Sequence, residues 1–188
     1  MVGCPGHVLA LEHCLSSETA RSAVLSFALS VCLAVAAGSA GAAQWIVEGR
    51  VVGVSDGDTI TVLDASKAQH IVRLGGIDAP ERKQPFGSAA KEVLSSVVFD
   101  RRVEARCWKR DRYGREICSV FVGTRDVGLA MIRDGYAWHY KAFEQEQSAD
   151  DRAAYARTEA DARSARRGLW RDAAPVPPWD WRKERRTQ

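Results

Sequence analysis

Charge of one sign is scarce in this chain: 27 lysines and arginines stand against 24 aspartates and glutamates over 188 residues, a formal net charge of +3 at neutral pH. So small a surplus permits an anionic partner without demanding one, because nucleic-acid binders are usually marked by a clustered basic stripe. Proline is sparse at 6 and glycine ordinary at 15, and nothing in that usage fits a collagen-like chain. The hydrophobic share of 46% speaks against disorder along its length. No internal repeat is visible, and no acidic spacing matches the calcium loop of an EF-hand. The length suits one hydrophobic core and a single folded domain.

Cysteine is sparse as well. Of the five, Cys4, Cys14 and Cys32 fall in an amino-terminal segment that reads as a leader. Ala23 to Ala43 is an almost uncharged apolar run, preceded by Arg21 and closing in Gly38-Ser39-Ala40-Gly41-Ala42-Ala43. It resembles a secretory signal peptide cleaved after Ala42 or Ala43. The region before the run is long and carries Glu12 and Glu18, so either translation starts beyond Met1 or the segment stays uncleaved as an anchor approaching a membrane span. Leu29-Ser30-Val31-Cys32 is a poor lipoprotein box, since Val31 replaces the small residue wanted before the cysteine. The expected organisation is a signal peptide or anchor over 1–43, one domain over 44–171, and an extended, basic Pro/Trp tail over 172–188. Export to the periplasm or the exterior is expected, with membrane attachment through an uncleaved leader as the alternative. The expected state is a monomer with no stable protein partner.

Hydrophobic periodicity divides the domain. Trp45 to Val54 and Thr59 to Leu63 alternate like antiparallel strands about the turn Ser55-Asp56-Gly57-Asp58, where Asp-Gly is a strong hairpin signal. A third strand ends in Ile71-Val72-Arg73-Leu74. Ser88 is placed to cap a helix whose apolar residues Ala90, Val93, Leu94, Val97 and Val98 share one face. Arg102 to Trp108 and Glu116 to Val122 then form a second antiparallel pair around Lys109-Arg110-Asp111-Arg112-Tyr113-Gly114-Arg115. If that pair is symmetric about its loop, Cys107 faces Cys118 and a disulfide is possible in an oxidising compartment. A slip of one residue in register would place the thiols on opposite faces, leaving two free cysteines. A helix from Asp126 to about Asp134 stops at Gly135, and another starts at the Ser148-x-x-Asp151 capping pattern and stops at Gly168. Tyr136-Ala137-Trp138-His139-Tyr140 reads as core, and His139 is not expected to be a catalyst.

The chemistry concentrates in Arg73-Leu74-Gly75-Gly76-Ile77-Asp78-Ala79-Pro80-Glu81. An arginine inside a β-branched strand is costly unless something pairs with it. Asp58, at the mouth of a strand, can join Asp78 around a hard cation, which takes carboxylate and carbonyl oxygens. Two aspartates make an open site rather than a closed cage. In the loop 109–115, guanidinium groups suit phosphate oxygens, and Tyr113 can stack on a base or donate its hydroxyl.

Val54-Ser55-Asp56-Gly57-Asp58-Thr59, Arg73 through Glu81, and Asp111-Arg112-Tyr113-Gly114-Arg115 resemble, in order and spacing, the signature stretches of staphylococcal (micrococcal) nuclease homologues. The resemblance covers about residues 45–170. It implies an α+β fold, a five-stranded OB-type barrel with three helices, and a calcium-dependent phosphodiesterase that cleaves DNA and/or RNA. It further implies that Asp58 and Asp78 are metal-binding carboxylates, with the backbone carbonyl of Ala79, where threonine is usual, as a further ligand. Glu81 takes the position of the general base, Arg73 and Arg115 those of the two guanidinium groups on the scissile phosphate. Arg112 and Tyr113 match positions that help hold substrate. The alternative is a catalytically silent OB module that binds nucleic acid, against which the joint retention of Asp58, Arg73, Asp78, Glu81 and Arg115 argues.

Overall fold

The computed structural model of the protein describes residues 44–187, so the expected leader at 1–43 lies outside the described residues. Strands β1 (Trp45–Val54), β2 (Thr59–Asp64) and β3 (Gln69–Leu74) form an antiparallel meander. β4 is the short strand Ile77–Asp78. β5 (Arg102–Arg110) lies on the other side of β1, β6 (Glu116–Val122) pairs with β5, and β6 returns parallel to β3. The order β3-β2-β1-β5-β6 therefore closes on itself, a five-stranded mixed barrel of OB type whose closure removes the free sheet edges. β7 (Arg125–Asp126) extends β6, and β8 (Trp138–His139) pairs with β4 in a separate small sheet.

Alternation along the strands fills the barrel. In β1, Val47, Gly49 and Val51 point inward while Glu48, Arg50 and Val52 face solvent, and Ile60, Val62, Val72, Leu74, Val103 and Val120 join them in the core. Each such side chain contributes about 1.5–3 kcal/mol by leaving water. Among the described residues no helix is long and apolar enough to cross a membrane.

Three helices form where the periodicity places them. α1 (Gly87–Val98) buries Ala90, Leu94, Val97 and Val98. Ser88 is not its cap, however: that position belongs to Phe86, in the left-handed region at φ 67°, with no side-chain cap. The chain leaves the central stretch in a tight turn, with Gln84 N donating to Glu81 O at 2.8 Å and Gly87 N to Gln84 O at 2.9 Å. This turn runs directly into the first helical residue, so the helix starts before a serine can cap it. α2 (Val127–Arg133) is capped by Asp126, whose Oδ1 accepts from Leu129 N at 2.9 Å. α3 (Ala149–Ser164) is capped by Ser148, whose Oγ accepts from Asp151 N at 3.1 Å. His139 is buried with Nε2 facing Gln147 Oε1 at 2.8 Å. Leu169 and Trp170 pack back on Trp138, the two indoles meeting edge to face at 5.0 Å.

The carboxyl end departs from expectation. Residues 172–188 read as an extended tail, yet Pro178–Glu184 is a fourth helix, α4. Proline at its first position and Arg182 and Lys183 in its last turn favour a helix in that polarity.

The register of β5 and β6 sets Cys107 opposite Cys118, and a disulfide joins them across a Cα–Cα distance of 4.0 Å. The bridged residues are separated by 11 positions, a short loop whose closure in the unfolded chain is worth about 2–3 kcal/mol. A Cys107→Ala/Cys118→Ala variant is expected to lose about that much stability by urea denaturation, and the unchanged protein to lose a similar amount under reductant. A midpoint insensitive to reductant would contradict the bridge.

Candidate active site

Local chain geometry brings the charged residues together. In the β1–β2 turn, Ser55 N donates to Thr59 O at 2.8 Å and Asp58 N to Asp56 Oδ1 at 3.1 Å. A Cβ on Gly57 would stand 2.7 Å from Ala79 Cβ and 2.8 Å from Ala90 Cβ, so glycine lets this turn lie against both the central stretch and α1. Asp58 O accepts from Leu74 N at 2.8 Å, and Thr59 is paired with Arg73 across β2 and β3. The chain then turns through Gly75 and Gly76, the latter at φ 73°, a conformation open to glycine. The reversal presents Asp78 to Arg73.

Arg73 Nη2 donates to Asp58 Oδ2 at 3.1 Å and to Asp78 Oδ1 at 2.8 Å. The partner that a guanidinium in a β-branched strand requires is thus a pair of buried carboxylates. Asp58 Oδ1 also accepts from Thr59 Oγ1 at 2.9 Å, and its Oδ2 from Ala79 N at 3.3 Å. Burial pushes Asp78 up to about 6, with the charge of Asp58 adding to the rise and Arg182 and Arg73 opposing it. Burial and the Asp58 charge push Asp56 up to about 6 as well. For Arg73, burial pulls downward but Asp58 and Asp78 outweigh it and hold the guanidinium above its ordinary value.

The β5–β6 loop forms the facing wall and is organised by its one acid. Asp111 Oδ1 accepts from Tyr113 N at 2.9 Å and Arg115 N at 3.0 Å, while Oδ2 takes Arg115 Nε at 2.8 Å. Burial would raise Asp111, but these donors, Arg115 first, hold it below the ordinary carboxylate range. Arg112 Nη2 donates to the Tyr113 hydroxyl at 2.7 Å, and the guanidinium groups of Arg112 and Arg115 lie over the Tyr113 ring at 4.8 and 5.5 Å.

One cleft of about 730 Å³ is lined by Asp58, Arg73, Asp78, Ala79, Glu81, Arg112, Tyr113 and Arg115 together. The structure thus gathers every candidate apart from the cysteine pair, which serves the sheet. It also adds residues the sequence reading did not assign to the site: Asp56, Tyr140, Trp179 and Arg182. In sequence Asp56 reads as part of the Asp-Gly turn and of the first signature stretch, without a role of its own. Trp179 and Arg182 belong to α4, and only the helix signals at its ends could have suggested that they dock.

The family model described as "Staphylococcal nuclease homologue" matches residues 71–172. The chain belongs to this family. It is 42% identical over 137 residues to an "uncharacterized endonuclease" of Escherichia coli O157:H7, spanning 72% of this chain and 85% of that protein. To an "uncharacterized endonuclease" of Haemophilus influenzae it is 36% identical, with 72% of each chain covered. A "probable staphylococcal-like nuclease", CAN2, of Oryza sativa subsp. japonica is 31% identical over 73% of this chain and 34% of its own length.

Whether this nuclease homologue suits a metal follows from its donors. Asp56, Asp58, Asp78 and Ala79 line the cleft on one side and offer oxygen atoms only, the chemistry of a hard cation. Among the described residues no group of three or more His, Cys, Asp or Glu is gathered tightly enough to cage an ion. The chemistry of these donors fits an oxygen-liganded cation at an open site. Soft or imidazole-bound metals do not fit them.

Proposed function

We propose that the protein is a calcium-dependent nuclease that hydrolyses phosphodiester bonds of DNA and/or RNA in the cleft between the β1–β2 turn, the central stretch and the β5–β6 loop. The observation that carries this is the convergence of Asp58, Asp78, Glu81, Arg73 and Arg115 on one cleft. The names of the relatives point to the same reaction class. Asp58, Asp78 and the Ala79 carbonyl would hold the cation. When bound, it supplies a charge that lowers the cost of negative charge on the non-bridging phosphate oxygens.

The chain's own residues then divide the work. Glu81, with its side chain 40% exposed, accepts a proton from water as the water oxygen bonds to phosphorus. The bond from phosphorus to the leaving sugar oxygen breaks, and that oxygen takes up a proton from solvent. Arg73 and Arg115 donate to the non-bridging oxygens, more strongly in the transition state than in the ground state. Both are committed to carboxylates in the structure, Arg73 to Asp58 and Asp78 and Arg115 to Asp111, so substrate must compete for them. Arg112 and the exposed ring of Tyr113 hold neighbouring parts of the strand. Export through the leader, a further part of the proposal, agrees with a disulfide that persists in an oxidising compartment.

Single-stranded DNA incubated with the purified protein is expected to be cleaved in calcium and left intact in chelator, cleavage returning when calcium is restored. Salt-sensitive binding without cleavage under every condition would instead favour a silent nucleic-acid-binding module.

A further inference from the structure

The helix that replaces the expected tail places one side chain in the middle of the charged cluster. Arg182 Nη2 donates to Asp78 Oδ2 at 2.7 Å, and Arg182 Nη1 donates to Glu81 Oε1 at 2.7 Å and to Asp78 Oδ1 at 3.3 Å. A single guanidinium therefore takes both oxygens of a buried carboxylate and one oxygen of the candidate base. Its fork geometry suits this bidentate grip, which a point charge would not reproduce. The helix is seated independently of this contact. Trp179 stacks on Tyr140 at 5.4 Å with 12° between the rings, and Gln84 Nε2 donates to Val176 O at 2.6 Å.

We propose that Arg182 is an internal competitor for the divalent cation and so sets the protein's affinity for calcium, an inference that rests on the metal-dependent nuclease reading above. The oxygens of Asp78 held by Arg182 are those that a cation at Asp58 and Asp78 requires. Arg182 takes both Asp78 oxygens, where Arg73 takes only one, and its charge repels a doubly charged ion at the same place, so Arg182 and the cation compete for that carboxylate. Glu81 is under the same constraint, because its Oε1 is occupied by Arg182 and is not free to face an attacking water. Loading the cation displaces the Arg182 side chain and removes the ionic tie between α4 and the cleft, leaving that helix held by the Trp179–Tyr140 stack and the Gln84–Val176 hydrogen bond. The apparent affinity is then the intrinsic one reduced by the fraction of molecules in which Arg182 has left. Without metal the cleft is charge-balanced and closed to use. With metal it is uncovered.

The test is calorimetric titration of the purified protein, Arg182→Ala and Asp78→Asn with calcium chloride, with no nucleic acid present. Arg182→Ala is expected to bind calcium at least about tenfold more tightly than the unchanged protein, and Asp78→Asn to lose binding. Equal or weaker binding by Arg182→Ala, with clear binding by the unchanged protein, overturns the competition and leaves the nuclease reading intact. Absence of binding by both overturns both. Should Arg182→Ala fold poorly, hydrogen exchange on the unchanged protein decides: backbone amides of 179–184 are expected to exchange faster in calcium than in chelator. Unchanged exchange there, in protein shown to bind calcium, overturns the proposal.

Discussion

Glu81→Gln is expected to lower the rate of phosphodiester cleavage by at least about a hundredfold while leaving the fold and the Michaelis constant nearly unchanged. The substitution keeps the shape of the side chain and removes its capacity to hold a proton. A positioned base is worth about 10²–10⁴ in rate, and a hundredfold corresponds to about 2.7 kcal/mol on the barrier. The backbone of residue 81 is fixed by its own bond, Glu81 N donating to Gln84 Oε1 at 3.0 Å, so the amide stays where the carboxylate was. The ion pair lost with Arg182 is a small matter for stability, since that carboxylate is 40% exposed and pairs of this kind are worth about 1 kcal/mol or less. Steady-state kinetics on a defined single-stranded substrate, with a denaturation curve beside them, separate these effects. A variant with normal turnover would remove Glu81 from the mechanism and point to another base in the cleft, such as Asp56.

What could be read from the residues alone was whatever local pattern controls. The alternation of Trp45 to Val54, the Asp-Gly turn and the apolar face of α1 are short-range signals, and the elements formed where they lay. Closure of the barrel by β3 on β6, a parallel pairing of Val72 with Glu116 and Leu74 with Cys118, depends on distant segments and came through the family resemblance. The start of α1 shows the limit of local rules. Ser88 has the right chemistry for a cap, but the hydrogen-bonded turn from Glu81 to Gly87 fixed the boundary first. Arg182 shows a stronger limit. Its partners lie 104 and 101 residues away in sequence, and no periodicity links a basic turn near the carboxyl end to a central Asp-x-x-Glu. Composition alone reads it as part of an extended basic tail, and most basic runs are solvated. Tertiary packing of Trp179 on Tyr140 is what turned it inward.

Arg73→Ala and Arg115→Ala are expected to lose activity alike and stability very differently. In the proposed mechanism each guanidinium donates to charge that develops at phosphorus, and removing one such donor costs about 10²–10³ in rate. The difference lies in what each arginine leaves behind. Arg115 pairs with Asp111 at the loop, side chains 27% and 18% exposed, where solvent can replace the lost donor, so its removal should change stability by about 1 kcal/mol or less. Arg73 is 14% exposed and holds Asp58 and Asp78 at 8% and 1%. Without it, two buried carboxylates lie next to each other with only Arg182 and neutral donors beside them, a loss of about 3–5 kcal/mol when one partner of a buried pair is removed. Calcium should return part of that stability to Arg73→Ala, because a cation at the same carboxylates offsets their repulsion, yet the rate should stay low because the phosphate donor is still missing. Arg73→Lys separates the two contributions further: the charge is kept and stability is largely recovered, while the planar fork is lost and turnover stays depressed. Thermal denaturation with calcium and with chelator, set beside single-turnover rates for the three variants, reads both quantities. If Arg73→Ala proved as stable as the unchanged protein in chelator, Asp58 and Asp78 would not depend on that guanidinium for their charge balance.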